Sequence, residues 1–208
     1  MPILQRGPQR TDAPPAIAAG RDDILVAAAQ RDPRDFAPLF ARYWDPVLRY
    51  CALRLRDRQE AEDTASQVFV AAYAGLSRFR DRGRESSFRA WLFTIAHHEV
   101  ANAHRYRARH PAGSLTAAAL VPDAAASPES RAVAADEITR VIAVLRELPE
   151  RPRDVVALRL AGLTDREIAA VLGISGDAVR QAQSRAVTRL RERLGIVPGE
   201  NEKRKTDG

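Results

Sequence analysis

The stretch around Gly173 constrains the fold of this chain more than any other part. Thr164 and Glu167 have the spacing of a capping box, in which each side chain bonds the backbone of the other residue. Ile168 follows as an apolar anchor, and Gly173 permits a sharp turn before Ser175 caps a long basic helix. The pattern predicts a helix-turn-helix, a helix pair that leaves one face of its second helix exposed.

Composition extends the helical interpretation to the whole chain. Hydrophobic residues make up 45% of the 208 positions. Alanine is abundant among them, and runs of β-branched residues long enough for a strand are nearly absent. An all-α fold is therefore predicted.

The same composition divides the chain into two small helical domains and three other stretches. Residues 1–20 are rich in proline, alanine and arginine, and residues 195–208 are charged, so both ends are predicted to be disordered. Alanine, proline, serine and glycine dominate residues 111–135, which predicts a flexible tether. The two ordered blocks then span residues 21–110 and 136–194.

The first block reads as a small helical bundle. A short helix is predicted over residues 24–29, and a proline at position 46 must kink or restart the second helix. The later helices of this block start at capping or proline residues, which are Asp32-Pro33, Asp57 with Glu60, and Ser86 or Ser87.

The second block reads as four helices joined by short turns. They are predicted over residues 135–148, 151–161, 165–172 and 176 to about 194. On the last helix, the apolar positions predicted to face inward are Val179, Ala182, Ala186 and Leu190. The polar positions that can face a DNA groove are Arg180, Gln181, Ser184, Arg185, Thr188 and Arg191. The alternative is an ordinary helical hairpin with a solvated charged face.

The first block contains a basic segment with aromatic residues among its charges. Eight arginines and three acidic residues between Ser77 and His110 give this segment a formal charge of +5, and the whole chain carries +6. A protein that binds single-stranded nucleic acid needs this combination, because its cationic side chains pair with the phosphates and its aromatic rings stack on the bases. The spacing of Phe88 and Trp91 favours the core, so Phe79 and residues 80–85 are the better candidates for direct contact.

Several short motifs occur in a fixed order along the chain: DRQEAED at 57–63, VF at 68–69, FR at 79–80, SSFRAWL at 86–92 and LPER at 148–151. Together with the helix-turn-helix, they resemble the bacterial RNA polymerase sigma factors of the extracytoplasmic-function (ECF) group, within the sigma-70 family. The first block is similar to sigma region 2 and the second block to sigma region 4.

The resemblance implies a division of labour between surfaces. Residues that would bind the core RNA polymerase are Glu62, Asp63, Ser66, Gln67 and Phe69. Residues that would open and read the minus-ten promoter element are Phe79, Arg80, Arg82, Arg84, Trp91, His98, Asn102 and Arg105. Residues that would bind the minus-thirty-five element are Thr164, Ser175, Arg180, Gln181, Ser184 and Arg185. The implied partners are core polymerase and promoter DNA, both as duplex and as melted strand.

Three positions depart from the usual family pattern. Ser66-Gln67 stands where the family usually has Gln-Glu, which removes a carboxylate from the polymerase-binding face. Asn102 replaces a common acidic residue, and Ala182-Gln183 replaces a common Arg-Leu pair. An anti-sigma factor is a common partner in this group, but no motif in this chain indicates one.

No recognisable catalytic constellation or phosphate-cradling loop occurs in the sequence, so neither an enzyme nor a cofactor is predicted. The four histidines lack the spacing of a metal-binding pair with a third ligand, which argues against a metal site. The single cysteine, Cys51, cannot form an intramolecular disulfide and indicates a reducing compartment. No apolar stretch resembles a signal peptide or a membrane span, so a cytoplasmic protein without membrane contact is expected.

Two other function classes stay open at this point. One is a free-standing regulator whose helix-turn-helix binds an operator, with the first block as a sensor or dimerisation module. The other is an interaction protein that sequesters polymerase or sigma partners. The segment from Arg80 to Trp91 favours the sigma factor, because a protein that binds only duplex DNA does not need it.

Overall fold

A computed structural model of the protein describes residues 22–55, 57–80, 87–110 and 143–194, and every regular element in these ranges is helical. The α-helices are α1 (Asp22–Arg31), α2 (Ala37–Arg54), α3 (Arg58–Gly75), α4 (Phe88–Arg109), α5 (Glu150–Leu160), α6 (Asp165–Leu172) and α7 (Gly176–Leu194). Short 3₁₀ helices cover Pro33–Phe36 and Leu76–Arg78. The prediction of an all-α chain is confirmed.

Some of the sequence predictions lie outside the described residues. These are the N-terminal arm at 1–20, the tether at 111–135 and the tail at 195–208. Of the helix predicted over 135–148, only residues 143–147 are described as helical.

Each described helix start for which a cap was predicted in the first block has a capping hydrogen bond, although the Glu60 side chain pairs with Arg107 and does not complete a capping box with Asp57. Asp32 accepts from the backbone N–H of Arg34 and starts a 3₁₀ turn, after which α2 begins. Asp57 caps α3 by accepting from the N–H of Glu60 at 2.9 Å. Of the two serines proposed for α4, Ser87 is the cap. Each cap satisfies a backbone donor that the first turn of a helix leaves unpaired.

Helix α2 runs through Pro46 without restarting. Proline removes one intrahelical hydrogen bond, which in an isolated helix costs about 3 kcal/mol. Here Pro46 is buried together with Tyr43, Val47 and Tyr50, so apolar packing holds the helix across the missing bond.

The second block contains the predicted helix-turn-helix. Thr164 and Glu167 form a complete capping box at the start of α6. Gly173 ends α6 in the left-handed conformation, with φ of 62°, where a residue with a Cβ is strained. Ser175 then accepts from the N–H of Ala178 at 3.2 Å and starts α7.

The two blocks pack against each other, α5 against α2 and α6 against α4. Their buried apolar side chains form one cluster, which extends from Tyr43 and Phe88 in the first block to Val155, Leu158 and Ile168 in the second. The sequence predicted two domains and a tether but did not predict this contact.

Candidate nucleic-acid and polymerase interfaces

Helix α7 presents one polar face to solvent because its other face is buried in the second block. Val179, Ala182 and Ala186 have no exposed surface and anchor the helix at steps of three and four residues. The exposed side chains include all those predicted to reach a groove, Arg180, Gln181, Ser184, Arg185, Thr188 and Arg191. The anchoring therefore fixes which side chains can meet DNA.

The exposed face of α7 is lined by donors suited to DNA. A surface groove of about 370 Å³ runs along it between Arg180 and Arg191. Arg180 forms an ion pair with Asp177, three residues before it, and both side chains are mostly exposed. Exposed pairs contribute only about 0–1 kcal/mol, so a guanine or phosphate can replace Asp177 as the partner of Arg180.

Thr164 and Ser175 lie at the starts of the two helices of the motif. The Thr164 hydroxyl is bonded to the Glu167 carboxylate, and the Ser175 hydroxyl caps α7. Both residues are exposed. Their hydroxyls therefore have structural partners, and contact with a phosphate would be an additional role.

The residues predicted to read the minus-ten element divide between one exposed helix face and a partly buried aromatic cluster. His98, Asn102 and Arg105 are exposed along one side of α4. Arg105 donates to the Asn102 side-chain oxygen, and the Asn102 amide donates to Glu99 at 3.3 Å. These three predicted residues thus form one polar strip.

Phe79 is buried in this structure, and its assignment as a DNA-contacting ring stays a prediction. Only 6% of the residue is exposed. Its ring centroid lies 5.0 Å from that of half-buried Trp91 and 5.9 Å from that of Phe88. Gln30 on α1 donates hydrogen bonds to the carbonyl oxygens of Phe79 and Leu76, at 2.9 and 2.8 Å. Phe79 is therefore held between α1 and the start of α4.

Arg80 is exposed, and its guanidinium donates to the carbonyl oxygens of Ser77 and Phe79. Arg82 and Arg84 lie outside the described residues.

The polymerase-binding face predicted on α3 is polar and open. Asp63, Ser66 and Gln67 are exposed, and half-buried Glu62 is paired with Arg58 at 2.8 Å. Phe69 differs, because only 4% of it is exposed and its ring packs against Phe40 with a centroid distance of 4.7 Å. Phe69 therefore packs in the core beneath this face, and its assignment as a polymerase contact stays a prediction.

Sequence reasoning missed an apolar patch beside that polar face. Val70 is 63% exposed, and Tyr73 and Phe40 are also exposed. Val70 and Tyr73 follow Ser66 at steps of four and three residues, which places all three on one side of α3. This helical spacing was the signal in the sequence that could have identified the patch.

Two ion pairs are buried where the blocks meet, Arg54 with Asp154 and Arg89 with Glu167. The pKa values of the two carboxyl groups are shifted in opposite directions. Burial alone would raise the pKa of Glu167, but hydrogen bonds from Thr164 and Ser87, with the charge of Arg89, hold that pKa below its ordinary value. Burial raises the pKa of Asp154 to about 6, although Arg54 acts in the opposite direction. Glu167 is therefore well stabilised as an anion, and Asp154 is less so.

None of the described helices is both long enough and apolar enough to cross a bilayer.

Family patterns for sigma-70 match both blocks. Sigma-70 region 2 matches residues 39–110, and sigma-70 region 4 matches residues 144–192. The first matched segment contains all but the first two residues of α2 together with α3 and α4, and the second contains α5, α6 and all but the last two residues of α7.

Curated relatives match most of the chain. It is 40% identical to the ECF RNA polymerase sigma factor SigD of Mycobacterium tuberculosis, over 83% of each chain. It is 38% identical to the ECF RNA polymerase sigma factor ShbA of Streptomyces griseus, over 81% of this chain and 92% of that one.

Solved structures share the fold. CnrH, which is known from Cupriavidus metallidurans, was solved in complex with the cytosolic domain of CnrY. It is 28% identical with a TM-score of 0.63, over 84% of this chain and 97% of that one. The sigma factor RpoE of Bartonella quintana, solved with the anti-sigma factor NepR, has a TM-score of 0.65 at 22% identity, over 78% and 98% of the two chains. The chain therefore belongs to the ECF group of RNA polymerase sigma factors, proteins that direct promoter-specific transcription initiation.

Proposed function

We propose that this chain binds core RNA polymerase and directs it to promoters by recognising the minus-thirty-five element and melting the minus-ten element. The observation that carries the proposal is the exposed polar face of α7, held in a helix-turn-helix, in the same chain as the exposed strip on α4. One chain thus carries two separate polar surfaces, one on α7 suited to duplex DNA and one on α4 suited to a melted strand. The proposed division assigns polymerase and minus-ten contacts to residues 21–110 and minus-thirty-five contacts to residues 136–194.

Helix α7 is the proposed reader of the minus-thirty-five element. Arg180, Gln181 and Arg185 are of the types that bond two atoms of a base edge at once, and they project from a helix of major-groove dimensions. Ser184 adds a short hydroxyl on the same face. Thr164 and Ser175 would hold the phosphates that flank the groove.

Helix α4 is the proposed reader of the melted minus-ten element. His98, Asn102 and Arg105 supply donors and acceptors along its exposed strip. Trp91 is only half-buried and can stack on a base once the strand separates. Arg80, Arg82 and Arg84 would hold the backbone of that strand.

Helix α3 is the proposed polymerase-binding element. Its polar residues Glu62, Asp63, Ser66 and Gln67 would supply the rim of the interface. The exposed patch of Phe40, Val70 and Tyr73 would supply the apolar centre, where most of the binding energy of an interface is concentrated.

Sigma factors are not enzymes, and in this proposal bond formation belongs to the polymerase. The chain would act in the cytoplasm, where the polymerase is. CnrH was solved bound to the cytosolic domain of CnrY, so a second protein can occupy this fold. We propose that an anti-sigma factor likewise binds this chain.

The direct test is transcription by purified core polymerase on candidate promoters, with and without this chain. Start-site-specific transcripts that require the chain are expected. Their absence, together with tight binding to a duplex operator, would instead identify a free-standing regulator. A chain that suppresses transcripts made with another sigma factor and opens no promoter would be a sequestering protein.

A further inference from the structure

Gln30 lies near the end of α1 and bonds a distant part of the first block. Its side-chain amide donates to the carbonyl oxygens of Leu76 and Phe79, at 2.8 and 2.9 Å. Only the nitrogen of the amide can donate to a carbonyl oxygen, and its two protons match the two acceptors. Gln30 therefore bridges the 3₁₀ turn Leu76–Arg78, from its first residue to the residue that follows it.

The bridged turn is the place where the chain leaves helical structure. Phe79 is extended, with φ of −61° and ψ of 135°. Its N–H donates to the Leu76 carbonyl oxygen at 3.1 Å, so that oxygen accepts both from the turn and from Gln30. Hydrogen bonds in 3₁₀ turns have poorer geometry than those in α-helices, so a short turn gains from a partner outside it. The Gln30 amide supplies that partner.

Arg80 depends on the same backbone group as Gln30. Its Nη1 donates to the carbonyl oxygens of Ser77 and Phe79, at 2.8 and 2.9 Å. The Phe79 carbonyl oxygen thus accepts from Gln30 and from Arg80, which uses both of its lone pairs. With Nη1 directed at the turn, the guanidinium edge formed by Nε and Nη2 is the one that would bond two oxygens of a phosphate.

The two bonded side chains are exposed, and the backbone that joins them belongs to buried residues. Gln30 and Arg80 both reach the surface, whereas Leu76 and Phe79 are 3% and 6% exposed. A long exposed side chain loses rotamer freedom when it binds a ligand, and that loss weakens binding. Because Arg80 is already bonded to the turn, part of its freedom is lost before a strand binds.

We propose that Gln30 is a positioning residue for the minus-ten element, which acts through the Phe79 carbonyl to hold the Arg80 guanidinium in place for a phosphate of the melted strand. This inference rests on the proposed function and names a residue that supports its minus-ten contact. Gln30 does not itself touch DNA in this arrangement. Its effect on strand binding therefore depends on Arg80.

Hydrogen exchange in the free full-length chain tests the contact itself. Gln30→Met keeps the length and the helix propensity of the side chain but removes both donors. The backbone amides of residues 76–80 should exchange about three- to tenfold faster in this variant, while those of α5 stay unchanged. Arg31→Gln is the matched control, because exposed Arg31 donates to the Ala27 carbonyl within α1 itself, at 3.1 Å. It should leave the exchange of residues 76–80 unchanged.

A double-mutant cycle tests whether Gln30 acts through Arg80. The probe is a promoter from which the wild-type chain directs transcription, prepared as a fork with its minus-ten segment single-stranded, and binding is measured with the complex of core polymerase and full chain. Gln30→Met should weaken binding about three- to tenfold, and Arg80→Ala about tenfold. Adding Gln30→Met to Arg80→Ala should cost less than about a further twofold, because the group that Gln30 positions is already absent.

Unchanged exchange of residues 76–80 in Gln30→Met would overturn the proposal, as would an equal loss of fork binding with and without Arg80. Each variant should keep the wild-type affinity for core polymerase and for a minus-thirty-five duplex. If Gln30→Met loses all three kinds of binding it is misfolded, and Gln30→Ala takes its place in the cycle. Failure of the proposed function has a different signature: the wild-type chain then yields no start-site-specific transcript, and this inference fails with it. Failure of this inference alone leaves the transcript and wild-type fork binding intact.

Discussion

Arg180 and Arg185 are the side chains through which α7 is expected to read sequence. Arg180→Ala and Arg185→Ala should each weaken binding to a minus-thirty-five duplex by about 1–3 kcal/mol and relax selectivity at one base position. Fluorescence anisotropy with the duplex and with single-base substitutions measures both effects. Arg193→Ala on the same helix is the control, since that arginine is paired with Glu147. Unchanged binding and selectivity in both variants would exclude these two residues from base recognition.

Val70 offers a test of the polymerase face that does not disturb the core. Val70→Asp places a charge in the centre of the proposed interface and should lower the affinity for core polymerase about tenfold or more, since a buried unpaired charge is costly. Leu160→Asp is the matched control, because Leu160 is exposed to a similar degree on α5. Both variants should keep the wild-type melting temperature. Equal polymerase affinities for the two would remove the patch from the interface.

At the scale of residues, the helix caps could be predicted from the sequence, whereas the burial of individual side chains could not. The caps Asp57, Ser87 and Thr164 were predicted because capping depends only on the next three residues. The burial of Phe69 and Phe79 was not predicted, because an aromatic ring beside a charged face can point either way, and only packing decides. Their rings face Phe40 and Trp91, partners distant in the chain.

Among the elements, α6 carries the buried carboxylate that bonds the first block to the second. Its Glu167 has a pKa below the ordinary value of 4.5, so it contributes stability above that value, and the contribution is lost as pH falls through the lowered pKa. Glu167→Gln should cost about 3 kcal/mol at neutral pH, as expected for breaking a buried pair. The difference in unfolding free energy from the wild type should be constant between pH 6 and 8 and shrink below about pH 4. Denaturant titrations at a series of pH values measure it; a difference that instead grew on acidification would contradict the ionised state of Glu167.

Helix boundaries in the second block were predicted closely, because capping residues and a turn glycine mark them. The helices predicted over 165–172 and 176 to about 194 match α6 and α7. Pro46 shows the limit of such signals, because proline at an exposed site would end α2 and here lies in the core.

For the whole molecule, the docking of the two blocks was not predictable from one sequence. Its polar contacts join residues far apart in the chain, such as Ser87 and Glu167, which are 80 positions apart, and Ala52 and Arg146, which are 94 positions apart. No rule based on hydrophobic periodicity or motif spacing predicts contacts between residues so far apart in the chain. The sequence already explained Glu167 as part of a capping box, so nothing in it indicated the contacts of Glu167 with Ser87 and Arg89.

The most direct test of the sigma-factor function is the permanganate reactivity of thymines in the minus-ten region of a promoter bound by core polymerase. With this chain present, thymines there should become reactive, and His98→Ala with Arg105→Ala should reduce that reactivity while the upstream duplex stays protected. The contrary result is a promoter that the wild-type chain protects at the minus-thirty-five element but in which no thymine becomes reactive. That result would contradict promoter melting and would show that the protein binds only duplex DNA.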